Sequence, residues 1–190
     1  MQEQQAKEQR IVNGVNVTQL FDTIDAINDE KDIAKFNFRA SNKWINGANN
    51  RTTVTDFYGA CETHSRETPF VFEKDEPPVL LGDDKGANPV EYLFAALAGC
   101  VTTGLVYHAA AKGIELDSVE STYAGDLDLR GFLGISDEVR NGYEGITITF
   151  KIESSASREQ IEELVQIAQD RSPVFDIVAN PVPVKVELAR

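Results

Sequence analysis

The residues through which this sequence could do chemistry are two thiols, Cys61 and Cys100, and the few cations and carboxylates placed to act on them. Cys100 closes the run Ala95-Ala96-Leu97-Ala98-Gly99-Cys100, whose mostly small side chains let a second helix, a backbone or a substrate approach the sulfur closely. A thiol so placed is either a small buried hydrophobe, as free cysteine commonly is, or a nucleophile. The second role needs a cation or hydrogen-bond donors that favour the thiolate. Arg51, at the exit of a turn, and Arg39, on an extended run, are the cations most readily aimed across a sheet at a packed helix, and either is also readable as solvated surface. Glu91, three residues after Asn88, can reach back to cap a helix or can orient an arginine beside the thiol.

Cys61 and His64 stand in a C-x-x-H arrangement, but two ligands do not make a metal site and nothing nearby completes one. No metal is expected. His108 follows Cys100 by eight residues, about 80° around a helix axis, so a direct Cys–His pair within one helix is not expected. The acidic pairs Asp75-Glu76, Asp83-Asp84 and Asp126/Asp128 read as hydrated surface in so acidic a chain. No phosphate loop, dinucleotide fingerprint, G-x-S-x-G elbow or H-E-x-x-H is present, and no cofactor is expected.

The elements that must position these groups follow from periodicity. Residues 1–14 lack it, and structure is expected to begin near Asn16, which with Gln19 suggests a capping box for a short amphipathic helix through Leu20, Phe21, Ile24 and Ile27. Alternating runs at Lys35–Arg39 and Thr52–Tyr58, separated by Asn46-Gly47-Ala48-Asn49-Asn50, predict a β-hairpin, and Pro69–Phe72 predicts a third strand. Cys61 falls in the loop between. Gly82–Gly86 reads as a further loop. Asn88-Pro89-Val90-Glu91 then announces the longest helix, running to Lys112 with Gly113 as its stop, with Leu93, Leu97, Cys100, Val101, Gly104 and His108 near one stripe.

Ile114–Asp128 and Gly145–Glu153 predict two more strands, Ser157 caps another helix, and Val182–Leu188 alternates like a terminal edge strand. This order is α+β: residues 1–33 form a tail and accessory helix, residues 34–190 one domain. At 190 residues, 42% apolar and 26% charged, the chain can bury a core, so full disorder is excluded. Eighteen basic residues against 31 acidic ones give −13, which argues against nucleic acid as a partner. No apolar run approaches the roughly 18–20 residues that span a bilayer, and Met1–Arg10 is too polar for a signal-peptide core. A cytoplasmic location and no membrane partner are expected, and two cysteines are too few for a disulfide scaffold.

The segment from Gly86 to Cys100, GANPVEYLFAALAGC, resembles the central-helix signature of the OsmC/Ohr family, the osmotically induced and organic-hydroperoxide-resistance proteins. The element order is similar from Lys35 to Leu188, including Arg171-Ser172-Pro173-Val174. The resemblance implies an OsmC-like fold and an intertwined homodimer, with two long helices back to back and sheets to which both chains contribute. It implies Cys100 as peroxidatic thiol, Arg51 as its stabilising cation, a hydroperoxide as small-molecule substrate and a thiol as reductant.

This sequence is a divergent member by the same signature. The family's second cysteine precedes a Pro-Val that stands here as Pro173-Val174, and position 172 is Ser172, which cannot form a disulfide but can cap the helix that follows. The family's catalytic glutamate falls at Val90, with Glu91 one residue out of register, about 100° around the helix. Cys61 is a candidate replacement resolver. Two readings follow: a stress-response hydroperoxide reductase, with Phe132 or Tyr143 lining an oily entrance, or a non-catalytic dimer that binds an apolar small molecule at its interface.

Overall fold

The structure, a computed structural model, describes residues 8–189. They divide into two compact units: one holds the residues up to Ile11 with Asn16–Ala95, the other Val12–Val15 with Ala96 onward. Structure begins earlier than periodicity suggests, because Asn13-Gly14 turns strands β1 (Ile11–Val12) and β2 (Val15–Asn16) into a small hairpin. Both turn residues have positive φ, 51° and 76°, the conformation that favours Asn-Gly in two-residue hairpins.

In the first unit, helix α1 (Val17–Asp29) is capped as expected, with Asn16 Oδ1 accepting from Gln19 N at 3.0 Å. Its apolar stripe is not sealed: Val17 is buried, but Phe21 and Ile24 are exposed. The sheet that follows contains β3 (Asn37–Phe38), β4 (Ser41–Asn46), β5 (Asn49–Gly59) and β6 (Glu62–Lys74). Strand β5 is its centre. One edge carries β6, and the other is shared end to end by β3, which pairs Phe38 with Phe57, and β4, which pairs Lys43 with Arg51.

The expected hairpin from Lys35–Arg39 is thus corrected. Its turn belongs to β4 and β5, and β4 was not legible because Ser-Asn-Lys-Trp-Ile-Asn has no alternation and no buried side chain. Strand β6 is likewise far longer than Pro69–Phe72. Its polar first half is held by backbone pairing to β5, and Cys61 occupies a tight turn with Ala60 instead of a longer loop.

Helix α2 (Pro89–Lys112) begins in the first unit and ends in the second, where Gly113 stops it at φ 71°. The second unit adds β7 (Ser118–Asp126), α3 (Leu129–Phe132), β8 (Gly145–Glu153), α4 (Arg158–Arg171) and α5 (Pro173–Ala179). Strands β7 and β8 pair antiparallel along their whole length, from Ser118 opposite Glu153 to Asp126 opposite Gly145. Their inward Val119, Phe150 and Ile152 pack on Val101 and Leu105 of α2 and Ala168 of α4. A second cluster joins Ala109, Ile114 and Leu164.

The buried stripe of α2 is therefore Leu97, Val101, Leu105 and Ala109, while Cys100, Gly104 and His108 lie at its partly exposed margin. The expectation of no spanning-length apolar run needs correction as well. By length and composition alone α2 is long and apolar enough to cross a membrane, because its glycines, alanines and threonines break a strict run without lowering the average much. Its stripe instead carries the core of the second unit. The terminal strand does not form: Val182–Leu188 pairs with nothing among the described residues, and Val184, Val186 and Leu188 are 82%, 90% and 96% exposed.

Leu105 is fully buried between α4 and the β7–β8 ribbon, so Leu105→Ala should lose transfer energy and leave a cavity. A destabilisation of about 2–5 kcal/mol is expected in urea unfolding followed by circular dichroism, with the m-value unchanged.

Candidate functional site

Chain direction at the start of α2 is fixed by side chains that satisfy its orphan backbone donors. Asn88 Oδ1 accepts from Val90 N at 2.8 Å, and Glu91 Oε2 accepts from Asn88 N at 2.8 Å, with Pro89 at the first helical position. Glu91 is therefore engaged as a capping carboxylate. The Asn88 amide also donates to the Glu76 carboxylate, and Tyr92 donates its hydroxyl to Glu73 O at 2.6 Å while its ring meets Phe72 edge-on. These contacts tie the first turn of α2 to the end of β6.

The loop between them is organised by Asp75, which is 1% exposed. Its carboxylate accepts from Glu76 N at 2.9 Å and from Asp83 N and Lys85 N at 3.3 Å each. Burial by itself would push this carboxyl up, but the three backbone N–H donors and the Lys85 ammonium together outweigh it and hold Asp75 below its ordinary range. Gly82 and Gly86 complete the fold of the loop: a Cβ at either would collide with the carbonyl of Glu76 or Glu73. Of the acidic pairs read as hydrated surface, this one is structural.

Asp83 accepts from Lys85 Nζ at 2.6 Å, and Asp128 caps α3 while pairing with Arg130. Among the described residues no group of three or more His, Cys, Asp and Glu stands together to hold a metal ion. His64 stacks on Phe57 at 4.8 Å and lies 3.1 Å from Gly59 O through Nε2.

Arg51 lies on β5 directly opposite Glu73 of β6, and its Nε donates to Glu73 Oε1 at 2.5 Å. Arg39 is held in the same manner by Asp56, at 2.7 Å. Glu73 was missed in the sequence because β6 carries extra residues: Val54 pairs with Phe70 but Asp56 with Ser65, so the register could not be counted from the hairpin turn. In the first unit the structure thus brings together Arg51, Glu73, Asp75, Asn88, Glu91 and Tyr92.

Cys100 belongs to the second unit, on α2, reduced and partly exposed. Ser172 belongs to that unit too. It is 2% exposed and its Oγ accepts from Phe175 N at 3.2 Å, capping α5 with Pro173 at the first helical position. Cys61 is exposed at the tip of the β5–β6 turn, with φ 64°.

Because Asp75 is held below its ordinary range when folded, its contribution to stability is fully present above the unfolded value near 3.8 and is lost as pH falls through the lowered folded value. Asp75→Asn should therefore be destabilised at neutral pH and show a flatter loss of stability between pH about 4 and 2 than the parent protein. Chemical-denaturation midpoints measured across that acid range check both the sign and the window.

The sequence profile of the OsmC-like protein family matches residues 82–187, from the organised loop through the second unit. No curated protein sequence matches the chain. Among solved structures, the chain is similar to an OsmC-like protein from Mycoplasma pneumoniae, with TM-score 0.58 and 18% identity over 76% of this chain and 88% of that one. It is also similar to an organic hydroperoxide resistance protein OsmC from Legionella pneumophila, described as a predicted redox protein, with TM-score 0.50 and 19% identity over 78% and 94% of the two chains. An OsmC-like protein of unknown function from Vibrio cholerae gives TM-score 0.50 at 12% identity, over 73% and 91%. At these identities the likeness speaks for the fold.

Proposed function

From its membership of the OsmC-like protein family, to which this chain belongs, we propose that it is a homodimeric hydroperoxide-detoxifying protein whose Cys100 is the reacting thiol. The observation that carries this reading is that the family match takes in the Cys100 helix, with the sulfur partly exposed instead of sealed in the core. In the proposed reaction the Cys100 thiolate attacks the outer oxygen of a hydroperoxide. The O–O bond breaks, an S–O bond forms, and the departing alkoxide takes a proton to become an alcohol, leaving cysteine sulfenic acid. The peroxide is reduced by two electrons and the sulfur oxidised by two.

A guanidinium lowers the cost of the thiolate, and Arg51 is the cation proposed for that task. No second cysteine stands at position 172, so the sulfenic acid is proposed to condense with an external thiol, releasing water and giving a mixed disulfide. A second external thiol then displaces Cys100 as thiolate and leaves as a disulfide. Homodimer formation is supported by an uncovered stripe on α2. Ala96, Gly99, Thr103 and Tyr107 recur at helical spacing and are exposed, and a Cβ at Gly99 would meet nothing within 4 Å.

The rival reading, an apolar-ligand binder with an inert Cys100, draws on Ser172, whose buried capping role is structural. One comparison separates the two. Reduced protein and Cys100→Ala are exposed to cumene hydroperoxide and to hydrogen peroxide, followed by intact mass and by peroxide consumption with a dithiol. The proposed reductase gains one oxygen at Cys100 rapidly and consumes peroxide only in the parent protein; a Cys100 that reacts no faster than free cysteine leaves the binder.

A second expectation concerns the missing resolver. Ser172→Cys should convert the peroxide-treated protein to a form two hydrogens lighter, through a disulfide between residues 100 and 172, at a cost of about 1 kcal/mol for the weakened cap. Peptide mapping of the oxidised variant reads out that bond.

A further inference from the structure

Arg51 is held by one hydrogen bond that leaves most of its donors unused. Its Nε–H goes to Glu73 Oε1 at 2.5 Å, and among the described residues neither terminal amino group donates to anything. A guanidinium gripped at Nε is fixed in direction yet still offers its two outward amino groups to a further anion. The pairing is no accident of long side chains, since Arg51 and Glu73 face each other in register on adjacent strands. The strand end that carries Glu73 is itself anchored, through the Tyr92 hydroxyl on Glu73 O and through Asp75 in the next turn of chain. Glu91, the carboxylate that sequence reading offers as an arginine partner, is occupied by the backbone of Asn88.

We infer that Glu73 is the positioning residue of the proposed thiol site, the carboxylate that aims the Arg51 guanidinium so that its free amino groups meet the Cys100 thiolate. The inference rests on the reading of Cys100 and Arg51 given above. Glu73 touches neither sulfur nor peroxide in this role; it acts through Arg51.

The sign of its effect separates aiming from simple charge. A carboxylate that did nothing but offset the guanidinium would oppose the thiolate, and its removal would make Cys100 more acidic and faster. A carboxylate that aims the guanidinium does the reverse: without it the cation swings into water and the thiolate loses its donors.

The experiment measures, as a function of pH, the rate at which cumene hydroperoxide sulfenylates Cys100 in the parent protein, Arg51→Gln, Glu73→Gln, Glu73→Asp and the Arg51→Gln/Glu73→Gln double variant. Thermal unfolding confirms that each is folded. Glu73→Gln is expected to slow the reaction by about tenfold to a hundredfold and to move the rising limb of the pH profile upward, as Arg51→Gln does. The double variant should be no slower than Arg51→Gln alone, because both changes remove one unit of function. Glu73→Asp should recover part of the rate. A slow Arg51→Gln beside an unchanged or faster Glu73→Gln overturns the role of Glu73 and leaves the reading of Arg51 standing. An Arg51→Gln as fast as the parent overturns both.

Discussion

A helix of 24 residues from Pro89 to Lys112, apolar around most of its circumference, cannot stand in water, and the rest of the structure answers that constraint. One stripe, through Val101 and Leu105, is covered by the β7–β8 ribbon and α4 within the second unit. Its first turn is held by Asn88, Glu91 and Tyr92 against the end of β6 and the Asp75 loop within the first. A third stripe, through Gly99 and Thr103, is left open and consists of side chains small enough for another helix to lie close. The proposed dimer follows from this uncovered face as much as from kinship.

The same constraint explains which carboxylates are structural. A helix start buried against a sheet needs every orphan N–H satisfied, and a loop turned back on itself within a few residues needs its inward amides satisfied as well. Glu91 serves the first need and Asp75 the second. Glu73, held on a paired strand and committed to neither task, is the carboxylate left to face Arg51.

Helices were legible because their ends are written in local chemistry. Asn16, Asn88 and Ser157 cap where spacing placed them, Gly113 stops α2, and Ser172-Pro173 restarts the chain as α5. Strands were less so. The first half of β6, Glu62 to Glu67, carries no apolar alternation and is strand only because β5 offers it a ladder, while Val182–Leu188 alternates well and has no ladder among the described residues. Pairing is non-local, and its absence or presence overrode pattern in both directions. The candidate site shared that fate. Cys100, Arg51 and Ser172 could be singled out from motif and composition, but the Arg51–Glu73 bond depends on a register shifted by the residues between Ser65 and Phe70.

Ser172 shows how a local requirement and a chemical one can diverge at a single position. The residue before Pro173 must cap α5 from a buried site, and a hydroxyl accepts the Phe175 amide better than a thiol does. Serine there strengthens the helix start and removes the internal route from sulfenic acid to disulfide. Under the proposed chemistry the second electron pair must then come from outside, so turnover becomes dependent on the concentration of a small thiol and on its access to a partly exposed sulfur. Against a surface of net charge −13, a neutral or cationic thiol would approach more readily than an anionic one, which makes the reductant's charge, and the ionic strength that screens it, part of the rate.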